Sequence, residues 1–262
     1  MQLVLSLFSG IGLLDRAFKE KGFCVVSAGD LILGQDIRDF HAVAGKFDGV
    51  IGGSPCQDFS TLNRNRGGYS MEMVHEFVRV VKEAQPKWWL LENVRSVPDV
   101  TVQDYYWQRI DVNQGWYSDT SRLRHIQFGS KDELYLDIPR GSMDGAKHSC
   151  ALASDDRSFR ELCRLQGLED DFNLPDFNMA GKKKAVGNGV PLVMGRVLSD
   201  AVLNVTGPGR KECDTSSDKS VTVQRCKCGC KRVCGGRKMY YDESCRKRAQ
   251  RRREKHDLYS IL

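Results

Sequence analysis

Long apolar runs are missing from this sequence. No stretch of its 262 residues reaches the ~20 consecutive apolar positions that a membrane-spanning helix needs, so no membrane partner is expected. A secretory leader is missing too. The N-terminal LVLSLF is short, has no basic flank, and runs into Gly10-Ile11-Gly12 and Asp15 without a cleavage-like site. The cytoplasm is therefore the expected location. Without export, a disulfide framework is not expected for the ten cysteines. Internal repeats are absent. So is a complete dinucleotide GxGxxG pattern, because the third position after Gly12 is Asp15, which argues against a nicotinamide cofactor.

What remains is enough chain for one large domain and a small appendage. The composition, 40% hydrophobic and 28% charged, is that of an ordinary globular protein. The charge is unevenly spread. Residues 225–256 hold thirteen Lys and Arg against three Asp and Glu, a local charge of +10, which leaves −4 for the rest of a chain with net +6. A basic tail on a mildly acidic body points to a polyanion, most simply nucleic acid, or else to a solvated tail. Cys226, Cys228, Cys230, Cys234 and Cys245 crowd into that tail, where they read as metal ligands.

Residues 3–8, 23–30, 47–55 and 87–94 read as strands. Residues 13–22, 72–84, 157–168 and 189–203 read as helices, the last with Pro191 in its first turn. Alternating strands and helices predict an α/β fold with a mostly parallel sheet, covered on both faces, whose ligands bind at the carboxyl ends of the strands. Residues 207–220, rich in Gly, Ser and charge, read as a linker that continues to residue 224.

Three segments at strand ends carry candidate chemistry. In FSGIG the glycines let a ligand approach the backbone at a helix N-terminus, and Asp30 is placed to accept from ribose hydroxyls or is simply a turn residue. In GGSPCQDFS, Cys56 is a buried small residue or a nucleophile; its polar, flexible flanks predict an exposed loop in which a thiolate forms. In KWWLLENV, Glu92 ends a very hydrophobic strand, where burial is costly without a partner. Protonated, it would donate to a bound base; otherwise it is a cap or half of a salt bridge.

FSGIGLLDRAF, GGSPCQDFS, LENV, SRLRHIQFG, RELCRLQG and AVGNGVPLVMGRVL, in this order across residues 3–203, resemble the ordered motifs of the DNA (cytosine-5) methyltransferase family. The resemblance implies a Rossmann-like sheet that binds S-adenosylmethionine. It implies Cys56 as the nucleophile on carbon 6 of a flipped-out cytosine, Glu92 at ring nitrogen 3 and the exocyclic amine, Arg124 at the cytosine carbonyl, and Arg122 supporting that pocket. On the cofactor side it implies Phe8 near the adenine, Gly10 and Gly12 at the methionine part, Asp30 at the ribose, and Asp36 at the adenine amine. Pro55 would lie beside the sulfonium, with Asn188 and Val190 closing the pocket. Gln57, Ser60, Arg64 and Arg66, in and after the Cys56 loop, would meet nucleic acid, the arginines at phosphates.

The chain also departs from that family. Five residues separate Asp30 from Asp36 where relatives carry a helix. Thr120 replaces the Gln of the QxRxR pattern, and the target-recognition domain shrinks to residues 130–157, enough for a loop or hairpin. The tail from Arg225 to His256 resembles small treble-clef-like zinc modules, with Tyr241 where a third cysteine usually stands. Four ligands would come from Cys226, Cys228, Cys230, Cys234 and Cys245, and zinc suits such spacing. The expectation is a compact methyltransferase of bacterial or phage type. It would act on cytosine in DNA with S-adenosylmethionine as cofactor and zinc in the tail, with a monomer as the default state. The rivals are an RNA cytosine-5 methyltransferase and a nucleic-acid-binding homologue without activity.

Overall fold

The computed structural model describes residues 1–59, 67–141, 147–208, 225–231, 245–247 and 249–250. Strands β1 (Leu3–Leu7), β2 (Cys24–Ala28), β3 (Gly49–Gly52), β4 (Trp88–Asn93), β5 (Tyr106–Asn113) and β7 (Leu123–Ser130) form one sheet in the order β2-β1-β3-β4-β7-β5. Strands β6 (Thr120–Ser121) and β8 (His148–Ser149) form a short second pair. The helices are α1 (Leu13–Glu20), α2 (Tyr69–Ala84), α3 (Phe159–Leu165), α4 (Met179–Asn188) and α5 (Leu192–Thr206). None of the described helices is long and apolar enough to cross a membrane.

The first four strands are parallel, as the alternating pattern predicted. β7 then inserts antiparallel to β4, and β5 pairs antiparallel with β7. These last two strands had no sequence signature, and their composition explains why. Gln108, Arg109 and Asp111 on β5 and His125 and Gln127 on β7 break the apolar pattern because Arg109, Asp111 and His125 meet one another while the two glutamines bond to neighbouring segments. His125 Nδ1 lies 3.0 Å from Asp111 and 3.1 Å from the Arg109 guanidinium. Gln127 accepts from the Val100 amide and the Trp107 indole at 2.6 and 3.2 Å. Helix α4 was missed because its three lysines and two glycines leave no apolar stripe; Asn178 caps it through the Gly181 amide. Helix α5 starts at Leu192, with Pro191 as its N-cap rather than inside its first turn.

Strand β4 organises both faces of the sheet. Trp88 packs among Phe18, Phe23 and Phe128 on one face, and Trp89 meets Phe77 of α2 on the other. Each indole lies across a glycine on the adjacent strand: Gly49 of β3 under Trp88, and Gly129 of β7 under Trp89. On the Trp88 face α1 and α5 cross so closely that a Cβ on Gly195 would meet that of Ala17 at 2.8 Å. That contact brings the chain between α4 and α5 over the end of β1. Residues 131–141 and 147–157, the described part of the segment where a reduced recognition region was expected, contain only the two-residue β8, although Leu136 and Ile138 are buried in the same core cluster as Phe128.

Gly129→Ala would put a methyl carbon 2.2 Å from the Trp89 ring. The expected cost is about 1–3 kcal/mol of overpacking, read as a lower urea midpoint at unchanged slope; an unchanged midpoint would show that the indole has room to move.

Candidate active site

The carboxyl ends of β1, β2, β3 and β4 open into a cavity of about 750 Å³, the position expected for a ligand in an open α/β sheet. Its walls bring together Phe8, Gly10, Asp30, Asp36, Pro55, Cys56, Gln57, Glu92, Arg122, Arg124, Asn188 and Val190 from segments far apart in sequence. Gly12 does not line it. That glycine sits at the N-cap of α1 with φ +74°, on a neighbouring cleft.

The turn after β1 is tightly shaped. Phe8 and Gly10 both lie in the left-handed region, at φ +54° and +56°, a conformation that glycine takes at little cost and phenylalanine does not. The loop is tied down by Asp30, whose carboxylate accepts from the Gly10 amide at 2.7 Å and the Ile32 amide at 2.8 Å. Asp30 is nearly buried, so its carboxylate both braces the loop and faces the cavity. Asp36 caps the short helical turn Ile37–Asp39 and is held by Arg38. The hydrogen bonds of that guanidinium lower its carboxyl to about 2. Below this wall lies an acid that sequence reasoning left without a role: Asp15, buried, accepts from the hydroxyls of Ser6 and Ser27 at 2.5 and 2.7 Å.

The other wall carries the thiol and the acid. Glu92 ends β4, and Arg124 of β7 brings its Nε to 2.9 Å of Glu92 Oε1. Gly53 leaves room for this carboxylate, since a Cβ there would stand 3.2 Å from Glu92 Oε2. Asn93, the next residue, donates to the backbone oxygen and the hydroxyl of Ser54 at 3.0 and 2.9 Å, so the end of β4 holds the loop that presents Cys56. That loop is less open than its composition predicted: Ser54 is buried and Cys56 half-buried. Burial pushes the Cys56 thiol up, and the negative charge of Glu92 adds to the effect, while Arg124 and Arg122 oppose it. Burial thus disfavours the thiolate in a loop whose composition had suggested an exposed one.

Arg122 is buried and braces the cavity. Its guanidinium donates to the carbonyls of Ala151 (2.6 Å), Gly187 (3.0 Å) and Gly189 (3.1 Å), clamping the segment with Asn188 and Val190 against the end of the sheet. Burial and the nearby Arg124 push it down to about 10. Thr120, the departure from the QxRxR pattern, is buried and bonds to Asp119 at 3.1 Å.

Ser60, Arg64 and Arg66 lie outside the described residues, as do Cys234, Tyr241 and most of the linker. The base of the Cys56 loop is visible. Asp58 accepts from the amides of Ser70 (2.8 Å) and Gly67 (3.2 Å), and the Asp58 amide donates to the Ser70 hydroxyl at 3.0 Å. In the tail, Cys226, Cys228, Cys230 and Cys245 are buried, with their sulfurs all within 4.8 Å of one another, an arrangement that could hold a metal ion. The grouping is drawn from the described residues, which do not include Cys234.

Residues 32–108 match the family described as C-5 cytosine-specific DNA methylase. The chain is 34% identical over 112 residues to the type II methyltransferase M.FnuDI of Fusobacterium nucleatum, a match covering 36% of this chain and 33% of that protein. It is 30% identical over 148 residues to the type II methyltransferase M.NgoFVII of Neisseria gonorrhoeae, covering 48% of this chain and 40% of the relative. The matches thus span between a third and two-fifths of these curated relatives. Among solved structures the fold is similar to the Dnmt2 methyltransferase of Schizosaccharomyces pombe, with a TM-score of 0.58 at 14% identity, covering 79% of this chain and all of that one.

The opposing charges around Cys56 give a test in the ligand-free protein. Its alkylation by iodoacetamide should rise with pH toward a midpoint above the ordinary 9.0 for a thiol. Glu92→Gln should move that midpoint down, because it removes a charge that disfavours the thiolate. A midpoint that stays or rises in the variant would remove Glu92 from the environment of the sulfur.

Proposed function

We propose that this chain, a member of the DNA (cytosine-5) methyltransferase family, transfers a methyl group from S-adenosylmethionine to carbon 5 of cytosine in DNA. The observation that carries this reading is the meeting of Cys56, Glu92 and Arg124 in one cavity with Gly10, Asp30 and Asp36. A nucleophile and an acid face a wall of glycine backbone and carboxylates. The cavity's volume of about 750 Å³ suits a cofactor together with a base. Gly10 has open space where a side chain would begin, so a ligand can lie against the backbone there. Asp30 and Asp36 offer acceptors for hydroxyl and amine groups, and Phe8, Pro55, Asn188 and Val190 shape the rest of that half. The residues fit the cofactor, whose sulfonium would supply the methyl group.

The chemistry assigned to the protein's own groups is as follows. Cytosine is too electron-poor at carbon 5 to accept a methyl cation directly. After the Cys56 thiol has released its proton to solvent, the thiolate adds to ring carbon 6 while Glu92 donates a proton or hydrogen bond to ring nitrogen 3, and the electron pair released into the ring makes carbon 5 nucleophilic. Arg124 balances the charge at the carbonyl oxygen, and Arg122 keeps that wall in place. Loss of the proton from methylated carbon 5 re-forms the ring double bond and expels Cys56 as thiolate. Protonated Glu92 serves twice in this scheme. It donates to the base, and it no longer opposes the thiolate, so base binding and nucleophile activation are coupled. The target must leave the duplex to reach this depth, at a cost of a few kcal/mol. Gln57 at the cavity rim, with Ser60, Arg64 and Arg66, is assigned to the nucleic acid.

In the tail, four buried thiols with no oxygen or nitrogen donor among them have the chemistry of a closed structural zinc site. The basic residues around them are assigned to the phosphate backbone, in partial compensation for the short recognition region.

Cys56→Ala is expected to lower methyl transfer to duplex DNA by about three orders of magnitude or more and to abolish the covalent complex with 5-fluorocytosine DNA. Transfer at the former rate would end the covalent scheme. Running the assay with tRNA in parallel separates DNA from RNA as substrate. Deleting residues 207–262 should weaken DNA binding and flatten its dependence on salt; identical salt slopes would remove the tail from the interface.

A further inference from the structure

We infer that the metal-bearing knuckle is a fixed part of the methyltransferase body, and that zinc held by Cys226, Cys228, Cys230 and Cys245 staples the edge of the sheet to the shortened recognition region. The inference rests on the zinc reading of the tail and extends it to what the metal does for the rest of the protein.

The donor set comes first. With Zn–S bonds of ≈ 2.3 Å, a tetrahedral four-sulfur site has sulfurs about 3.8 Å apart. Cys230 and Cys245 stand 3.7 Å apart, and all four lie within 4.8 Å. The Cys230 amide points at the Cys228 sulfur at 3.4 Å, a bond that favours a thiolate. Gly229 makes this possible with φ +96°, a turn that a residue with a Cβ resists.

The same turn faces the sheet. β5 is an edge strand with one row of backbone groups left over by its pairing with β7, a liability that proteins cover. The Arg109 amide on that edge donates to the Gly229 carbonyl at 2.9 Å. Next to it, buried Gln108 gives its side-chain amide to the Cys230 carbonyl and the Leu136 carbonyl, both at 2.8 Å, and accepts from the Leu136 amide at 2.7 Å. One side chain thus joins three segments: β5, the knuckle and the recognition segment. Arg225 completes the joint. Its guanidinium lies 4.6 Å from the centre of the Tyr135 ring and donates to the Lys231 carbonyl at 3.1 Å. A finger on a loose tether would have no use for a buried glutamine reserved for its backbone. Zinc fixes the turn, and the turn presents the carbonyls of Gly229 and Cys230 at the spacing that β5 requires.

The test uses the full chain with and without metal. Zinc content is measured per chain, the metal is removed with a chelator under reducing conditions and then restored, and amide hydrogen exchange is followed across 106–113 and 131–138. One zinc per chain is expected. The amides of Arg109 and Leu136 should exchange about five- to tenfold more slowly with zinc than without, the span set by one hydrogen bond's net contribution. Gln108→Leu should keep the zinc but lose the zinc-dependent protection at Leu136. Should that variant fail to fold, the metal-removal comparison in the unaltered chain decides alone. A chain that takes up no zinc overturns the metal reading and the staple with it. One zinc per chain with unchanged exchange in both segments overturns the staple while leaving the metal and the methyl-transfer chemistry standing.

Discussion

A carboxylate at the end of a strand as hydrophobic as KWWLL can persist only if a cation meets it, and much of this molecule is arranged around that meeting. Glu92 projects from the end of β4, and Arg124 reaches it from β7. Because β7 runs antiparallel to β4, its early residues come level with the end of β4, and Arg122 and Arg124 arrive at the carboxyl end of the parallel strands. A parallel neighbour would have brought its own carboxyl end there instead. The reversal of direction is therefore what puts two arginines beside a thiol and an acid.

The Cys56 environment follows from the same pairing. Asn93, one residue past Glu92, holds Ser54 and so the cysteine loop. Gly53 yields space to the Glu92 carboxylate. The sulfur lies among one negative and two positive groups in a half-buried position, and burial together with Glu92 outweighs the arginines. A thiol whose thiolate is disfavoured is less open to adventitious oxidation and alkylation, which depend on the thiolate.

At the β5 edge of the sheet, the described residues include a short segment anchored by Leu136 and Ile138 and a cysteine knuckle laid along the strand edge. Gln108 serves all three. The buried polar side chains of β5 and β7 have a shared logic: each sits where an apolar residue would leave a backbone group or a neighbouring charge without a partner.

Much of the cavity's lining was readable in advance. Glycines, Pro55, Cys56 and Glu92 stand at predicted strand ends, and in a parallel sheet those ends share one edge, so one-dimensional order alone implied that they converge. The four parallel strands and helices α1, α2, α3 and α5 were visible for the same reason, since their apolar periodicity matches the faces they bury. β5, β7 and α4 were not visible, because their residues answer to partners far away in the chain. Arg109, Asp111 and His125 look like surface residues until they are paired, and the lysines of α4 hide a helix held by its cap and its neighbours. The half-buried position of Cys56 and the grouping of Cys226, Cys228, Cys230 and Cys245 belong to the same class. Local chemistry names the candidates. Distances between segments separated along the chain decide which of them face each other, because burial and charge act through space and not along the chain.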